Sequence, residues 1–346
     1  MKIRVNAKNR ALDFECGSAE KILHAGLGRG IGLPYECGTG TCGTCKARLV
    51  EGEVDDHWPE APGRTRLRGG AEVLLCQCAP RGDCAFEVSG LVHPMASGLQ
   101  VPAGLAAVIA RAVMLTHDVI ELELELARPL DFEAGQFALM TAGGIAGARA
   151  YSMVNFERAA RRLVFVVKKK PGGRMSDWLF AAPVAGAPVH LFAPLGAATF
   201  GPDMAKNILC IAGGSGIAGM MSILSRATQA GHFHRHSGHV FFGVRTRRDL
   251  FFVDELAGLR AAAPGAVTVT IALSDEDVDP DLRARHAGLD FATGFVHAVA
   301  GQAMRGRFDN VRAYAAGPPP MVDATLRMLL VEGKLRSHDI RYDKFS

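Results

Sequence analysis

Cys37, Cys42 and Cys45 stand in C-x4-C-x2-C spacing, and Cys76 follows Cys45 by thirty-one residues. Thiolate sulfur is a soft ligand, and this arrangement is the plant-type spacing for a two-iron, two-sulfur cluster. Gly38, Gly40 and Gly43 lie between the cysteines, where the backbone must turn amides toward sulfur and so tune the cluster. A zinc site would repeat a C-x2-4-C pair or add histidines, and neither occurs. Cys78, two residues beyond Cys76, is the alternative fourth ligand. Cys16, Cys84 and Cys210 read as small buried hydrophobes.

Three further stretches suit nucleotide chemistry. Arg149-Ala150-Tyr151-Ser152 puts a cation, a ring and a hydroxyl on one predicted strand: a phosphate partner, a stacking surface and a hydrogen-bond donor. Pro171-Gly172-Gly173-Arg174-Met175-Ser176 precedes a predicted short helix, whose start favours a phosphate. Gly214-Ser215-Gly216-Ile217-Ala218-Gly219 satisfies G-x-G-x-x-G between a strand and a helix. The acid that should follow about twenty residues on to hold ribose hydroxyls is missing, since no Asp or Glu occurs from Met204 to Arg248. Gly317-Pro318-Pro319-Pro320 marks another strand-to-helix turn. His232, His234, His236 and His239 lack a carboxylate partner and read as a solvated loop, Lys168 to Lys170 as a solvated strand end. Trp58 reads either as a docking anchor or as a ring packed on its own domain.

Tyr35-Glu36-Cys37-Gly38-Thr39-Gly40-Thr41-Cys42-Gly43-Thr44-Cys45-Lys46 and Leu75-Cys76-Gln77-Cys78-Ala79-Pro80 resemble the ferredoxin domain of NADH-dependent reductase components of bacterial aromatic oxygenases. The likeness is greatest to toluene and xylene monooxygenase reductases, which share a run like Trp58-Pro59-Glu60-Ala61-Pro62-Gly63, and it extends over essentially the whole chain, within the ferredoxin-NADP reductase-like superfamily. The resemblance implies Cys37, Cys42, Cys45 and Cys76 as ligands, because the family's fourth ligand stands four residues before the proline. It implies that Arg149 meets the FAD pyrophosphate, Tyr151 packs on the isoalloxazine, Ser152 approaches N5, and Gly173, Met175 and Ser176 form a pyrophosphate loop. Gly213, Gly214, Ser215 and Gly216 match the family's GGSGIAP element for the nicotinamide dinucleotide, with Gly219 where proline is usual. Gly317 and Pro318 match a C-G-P-P element near the nicotinamide, with Ala316 in place of its cysteine. Phe345 matches a terminal aromatic ring over the flavin, so Ser152 and Phe345 are the residues expected closest to hydride transfer. NADH is the implied donor, although Arg245, Arg247 and Arg248 after a predicted strand offer local chemistry for a 2′-phosphate.

The elements that must position these residues follow from periodicity. Strands are predicted at 2–5 and 11–14 and a helix at 19–27, then a Gly-, Cys- and Thr-rich region: an α+β ferredoxin (β-grasp) domain over 1–92. Two prolines and three glycines between Ser89 and Gly104 mark a linker, placed at 93–104. Leu122, Leu124 and Leu126 alternate with Glu121, Glu123 and Glu125, and further strands at 135–141, 149–155, 163–168 and 188–192 predict an antiparallel β-barrel FAD domain over 105–203. Apolar strands at 208–212, 240–244, 267–273 and 311–316, separated by helices, predict an α/β parallel-sheet nucleotide domain over 204–346. The alternating segment from Ile340 predicts a strand that ties down the C-terminus.

Composition agrees with this multidomain reading. The chain has 346 residues, 49% hydrophobic and 21% charged, and 39 Lys and Arg against 35 Asp and Glu leave a net charge of only +4. That balance argues against a nucleic-acid partner. Eight cysteines are too few for a disulfide scaffold, and the first residues hold no apolar signal region, so a cytoplasmic location is expected. Asn207 to Ser225 carries no charge over nineteen residues, but its glycines and serines suit a strand, a turn and a helix start better than a membrane span. The expected partner is a separate oxygenase component or its ferredoxin, met by a monomeric chain. The reductase of a Rieske dioxygenase and a cluster-bearing sensor without turnover are the alternatives.

Overall fold

The computed structural model describes residues 1–344 except Ser97, Ala182 and Pro202. Phe345 therefore lies outside the described residues. The chain divides into two compact units: Met1–Leu105 with Leu139–Ala150 and His190–Leu195, and Ala106–Ala138 with Tyr151–Val189 and Gly196–Ser346.

The first unit is built on a five-stranded sheet in the order Ala11–Glu15, Lys2–Asn6, Cys84–Glu87, Lys46–Glu51, Glu72–Leu74. Lys2–Asn6 and Cys84–Glu87 run parallel at its centre, the others antiparallel. Ile3 and Val5 point to one face by the two-residue period of a strand and are buried there, while Lys2 and Arg4 remain exposed. The helix Ile22–Gly28 buries Ile22, Leu23, Ala25, Gly26 and Leu27 and completes the β-grasp. The stretch read as a linker opens with His93–Pro94 paired antiparallel to Ile31–Gly32, and its last residues already belong to the strand Ala103–Met114.

The middle of the chain forms one curled sheet in the order Arg149–Ser152, Phe137–Ala142, Pro188–Leu195, Ala103–Met114, Val119–Leu130, Ala160–Lys168. The leucine-glutamate alternation does what its period requires: Leu122 and Leu124 are fully buried, and Glu121 and Glu123 pair with Arg111 outside.

The last sheet is wholly parallel, in the order Asp290–Thr293, Val267–Leu273, Gly238–Val244, Asn207–Gly213, Val311–Gly317, Ile340–Lys344. Its first strand in sequence, Asn207–Gly213, has neighbours on both sides that continue in opposite directions, so the strand order reverses between Asn207–Gly213 and Val311–Gly317. Open α/β sheets bind ligands outside the carboxyl ends of the strands at such a reversal. The uncharged run from Asn207 is a strand, a short turn at Gly214–Gly216 and the helix Ile217–Gln229. Among the described residues no helix is long and apolar enough to cross a membrane.

Candidate functional site

The cysteine loop is shaped by backbone. Gly38, Gly40 and Gly43 all have positive φ, at 67°, 91° and 77°. At Gly40 a Cβ would stand 2.9 Å from the Gln77 side-chain nitrogen, so this turn accepts glycine alone while Gln77 keeps its place. Backbone N–H groups of Thr39 and Cys42 donate to Cys37 Sγ and that of Thr44 to Cys42 Sγ, each at 3.4 Å, and Gln77 Nε2 lies 3.4 Å from Cys76 Sγ.

The sulfurs come as two close pairs. Cys42 beside Cys37 holds its pKa below the ordinary thiol value and Cys45 does the same to Cys76, while in each pair the partner's own pKa is pushed up. No three of the four lie within 4.8 Å of one another. A single tetrahedral zinc at about 2.3 Å from each sulfur would hold every sulfur pair near 3.8 Å. Two pairs standing apart fit two irons instead. Cys78 is fully buried on the strand Cys78–Pro80, and burial together with the nearby Asp56 charge pushes its thiol up to about 12. Cys76, not Cys78, is the partner of Cys45, which favours Cys76 for the fourth place. Cys16, Cys84 and Cys210 are buried free thiols.

On the strand Arg149–Ser152 the period of two sends Arg149 and Tyr151, both half-buried, to one face and buried Ser152 to the other. Arg149 Nη1 donates to the Ala148 carbonyl at 3.0 Å. Ser152 faces the helix Ile217–Gln229: a Cβ on Gly219 would lie 3.4 Å from Ser152 Cβ and 3.6 Å from its Oγ. The flavin-motif serine and the nucleotide glycine motif thus meet, and Gly219 supplies the room. The Ser222 hydroxyl accepts the Gly135 N–H at 2.7 Å and fastens the same helix to the loop before the strand Phe137–Ala142.

The loop before the helix Arg174–Ala181 is closed by Ser176. Its Oγ accepts the Lys170 N–H at 3.1 Å and lies 2.9 Å from the Gly173 carbonyl. A Cβ on Gly173 would collide with that oxygen at 2.8 Å. Met175 is buried beneath. The Ser176 hydroxyl is therefore spent within the loop, and a phosphate at this helix start would be met by backbone.

At the reversal of strand order, Gly213–Gly216 and Gly317–Pro318 form one cradle. A Cβ on Gly216 would stand 2.3 Å from the Ala316 carbonyl oxygen, and Gly213 packs on Met321 and Pro318. Gly317, at φ 147°, closes on the Gly213 backbone. Two backbone loops approach closely, with the Met321 side chain against both Gly213 and Gly317, and free backbone amides at such a turn suit a pyrophosphate. Ala316 is buried where the implied cysteine would stand.

Acidic partners that the sequence reading missed stand near this edge. Arg247 is clamped by Glu276 and Asp279, which follow the strand Val267–Leu273 rather than the glycine motif. The acidic run Asp275-Glu276-Asp277 directly after a predicted strand was the available signal. The histidine reading needs correction: His232 and His239 are buried, not solvated, because the turn His232–His234 and the strand Gly238–Val244 carry them inward. His232 Nε2 bonds the Lys206 carbonyl at 3.0 Å and His239 Nδ1 bonds Thr268 Oγ1 at 2.9 Å, so both serve packing. Trp58 is half-buried in the loop before the turn Pro62–Arg66.

Three family models match successive stretches of the chain. Residues 5–81 match the 2Fe-2S iron-sulfur cluster binding domain, 106–200 the oxidoreductase FAD-binding domain and 210–327 the oxidoreductase NAD-binding domain. The chain is 35% identical to the ferredoxin–NAD(P)+ reductase CarAd of Metapseudomonas resinovorans, covering 95% of this chain and 96% of that one. It is also 35% identical to the ferredoxin–NAD+ reductase component of the alkene monooxygenase system of Xanthobacter autotrophicus, covering 97% and 99%. Identity to the xylene/toluene monooxygenase electron transfer component XylA of Pseudomonas putida is 30%, covering 96% and 91%. Among solved structures, the ferredoxin reductase in carbazole 1,9a-dioxygenase matches with a TM-score of 0.84 at 33% identity over 100% of this chain and 99% of that one.

Proposed function

This chain belongs to the ferredoxin–NAD(P)+ reductases of bacterial oxygenase systems, and from that premise we propose that it carries electrons from NADH through FAD and a 2Fe-2S cluster to a separate oxygenase component, an aromatic or hydrocarbon monooxygenase. The observation that carries this reading is the loop that brings Cys37 and Cys42 under backbone N–H donors, with Cys76 beside the Gln77 amide, on a chain in which Ser152 faces the glycine-motif helix at Gly219.

When bound, FAD takes a hydride from NADH as two electrons and passes electrons singly to the cluster. The protein contributes position and charge. Cys37 and Cys42 hold one iron, Cys45 and Cys76 the other. Arg149 neutralises the flavin pyrophosphate, Tyr151 packs on its ring, and Gly173, Met175 and Ser176 shape the second phosphate contact. Gly213, Gly214, Ser215 and Gly216 would admit the nicotinamide dinucleotide's pyrophosphate, Gly317 and Pro318 would meet its nicotinamide end, and the Ser152 hydroxyl would supply a hydrogen bond near the hydride transfer. NADH is favoured over NADPH because Glu276 and Asp279 already occupy Arg247, leaving less positive charge for a 2′-phosphate.

Oxygen chemistry is placed on another component. Among the described residues, the trio of ligand-type side chains within 4.8 Å of one another is His117, Asp118 and Asp249, in which Asp118 is ion-paired with Lys168. We place the reductase in the cytoplasm as a monomer, and size-exclusion chromatography checks the latter.

The test is a visible spectrum of the purified protein followed by NADH-driven reduction of cytochrome c. Flavin and iron-sulfur bands with turnover support the proposal; a protein loaded with both groups that reduces no acceptor is a sensor instead. The likeness to the carbazole 1,9a-dioxygenase reductase favours one other partner, a Rieske dioxygenase system, and reconstitution with each class of oxygenase separates the two.

A further inference from the structure

The two sulfur pairs have different surroundings. Cys37 and Cys42 meet backbone N–H groups and the hydroxyls of Thr39 and Thr41. Cys76 instead meets the Gln77 side chain, whose Nε2 is 3.4 Å from its sulfur and whose Oε1 accepts the Lys21 ammonium at 3.4 Å. Gln77 is 4% exposed and locked from behind, since Gly40 passes so close that a Cβ there would touch its amide at 2.9 Å. Lys21 is half-buried at the start of the helix Ile22–Gly28 and forms no ion pair among the described residues; the adjacent Glu20 is taken by Arg29. An uncompensated ammonium thus stands on the Cys45–Cys76 side, with a fixed amide between it and the sulfur.

We infer that Lys21, acting through the oriented amide of Gln77, is a positioning residue that raises the reduction potential of the bound cluster from the Cys45–Cys76 side. The inference rests on the ligand assignment proposed above. The electron, delivered from NADH by way of the flavin, adds one negative charge to the cluster. A cation held in a partly desolvated site stabilises that added charge, and outer-shell hydrogen bonds to sulfur act in the same direction. The amide has one productive orientation: its carbonyl faces Lys21, so its N–H faces Cys76. Burial holds the Lys21 pKa below the ordinary lysine value, and the sulfur charges of Cys76, Cys45 and Cys78 offset only part of that.

The test is an EPR-monitored redox titration of the holoprotein and of Lys21→Met, Lys21→Arg and Gln77→Leu, with iron and acid-labile sulfide measured for each. Lys21→Met should move the electron-sharing equilibrium away from the cluster about tenfold, which is a fall of about 59 mV for one electron. Lys21→Arg should keep the wild-type potential. Gln77→Leu should fall in the same direction, and the Lys21→Met/Gln77→Leu double variant should fall by less than the sum, because one side chain acts through the other. The EPR potential is read on whatever fraction holds the cluster, so partial loading does not blunt the test. Wild-type potentials in cluster-loaded Lys21→Met or Gln77→Leu overturn the inference, as does an additive double variant. Wild-type protein without iron and sulfide overturns the ligand assignment instead.

Discussion

Three of the four sulfurs come from the nine residues Cys37 to Cys45, and each is fixed by its own side chain in a loop braced by backbone N–H donors. The nucleotide cradle is assembled differently: Gly213–Gly216 and Gly317–Pro318 lie far apart in sequence and meet only because Asn207–Gly213 and Val311–Gly317 are neighbouring parallel strands. The proposed cluster site would grip with side chains, the proposed nucleotide site mainly with backbone. The difference suits the residence time of what each takes. A cluster that stays for the life of the protein is bound through ligand bonds, whereas a dinucleotide that must leave after every turnover is met by amides and held by shape. Side-chain deletion should therefore cripple the first region, and side-chain addition the second.

The sharpest break is at the fourth ligand. Cys76→Ser should abolish sulfur-to-iron charge-transfer absorption while NADH still reduces the flavin, and Cys78→Ser should keep the absorption. The reverse result would move the ligand to Cys78. The matching experiment in the cradle adds carbon: Gly216→Val forces a side chain into the Ala316 carbonyl, which stands 2.3 Å from the position of a Cβ. Displacement of one loop by about 1 Å should cost roughly 100-fold in kcat/KM for NADH. Flavin and cluster absorption should be unchanged. Stopped-flow reduction of the flavin checks this, and a normal rate would show that the cradle does not carry the nucleotide.

The same contrast explains what the sequence made legible. Cys37, Cys42 and Cys45 are a local pattern imposed by bond geometry, and the leucine-glutamate strand and the apolar parallel strands announce themselves by period, as the strand Val267–Leu273 does residue for residue. Contacts between remote segments leave no such trace. The short strands Lys46–Glu51, Glu72–Leu74 and Asp290–Thr293 have too little periodicity to stand out, and the edge position of the last removes the need for a long apolar run. His232 and His239 look solvated because histidine is polar, yet each has one buried partner on another segment, the Lys206 carbonyl and the Thr268 hydroxyl. Lys21 meets Gln77 only through the fold.

An effect of middle size lies at the other edge of the nucleotide sheet. Asp339, 8% exposed, precedes the strand Ile340–Lys344 and binds Lys206 and Arg312. Burial pushes its pKa up, but the Lys206 bond and the charges of Lys206, His338 and Arg312 win and hold it below the ordinary 3.8. A depressed carboxylate stabilises the fold above its unfolded-state pKa and loses that contribution as pH falls through the folded value. Asp339→Asn should then cost about 2 kcal/mol at pH 7, and the gap to wild type should narrow below about pH 4. Thermal melts at the two pH values check the sign; a gap independent of pH would make Asp339 a packing residue.

The smallest expected effect sharpens the comparison most finely, because it asks where side-chain charge does enter the nucleotide region. Arg245, Arg247 and Arg248 make a cationic edge after the strand Gly238–Val244, and cationic side chains there suit a 2′-phosphate. Arg247, however, spends its guanidinium on Glu276 and Asp279, and its backbone N–H donates to Glu276 Oε2 at 2.9 Å. A 2′-phosphate would have to displace those carboxylates and approach their charge. Glu276→Gln with Asp279→Asn removes both negative charges, frees the guanidinium and should raise kcat/KM for NADPH about tenfold, the scale of one charge-assisted hydrogen bond gained. The value for NADH should change little, since its ribose carries no such charge. Adding Arg247→Met to that pair should return NADPH to its starting value, which ties the gain to this guanidinium rather than to a general change in field. If the double variant instead leaves the NADPH-to-NADH ratio where it was, the clamp has no part in cofactor choice, and selectivity in this region, like binding in the cradle, belongs to the backbone.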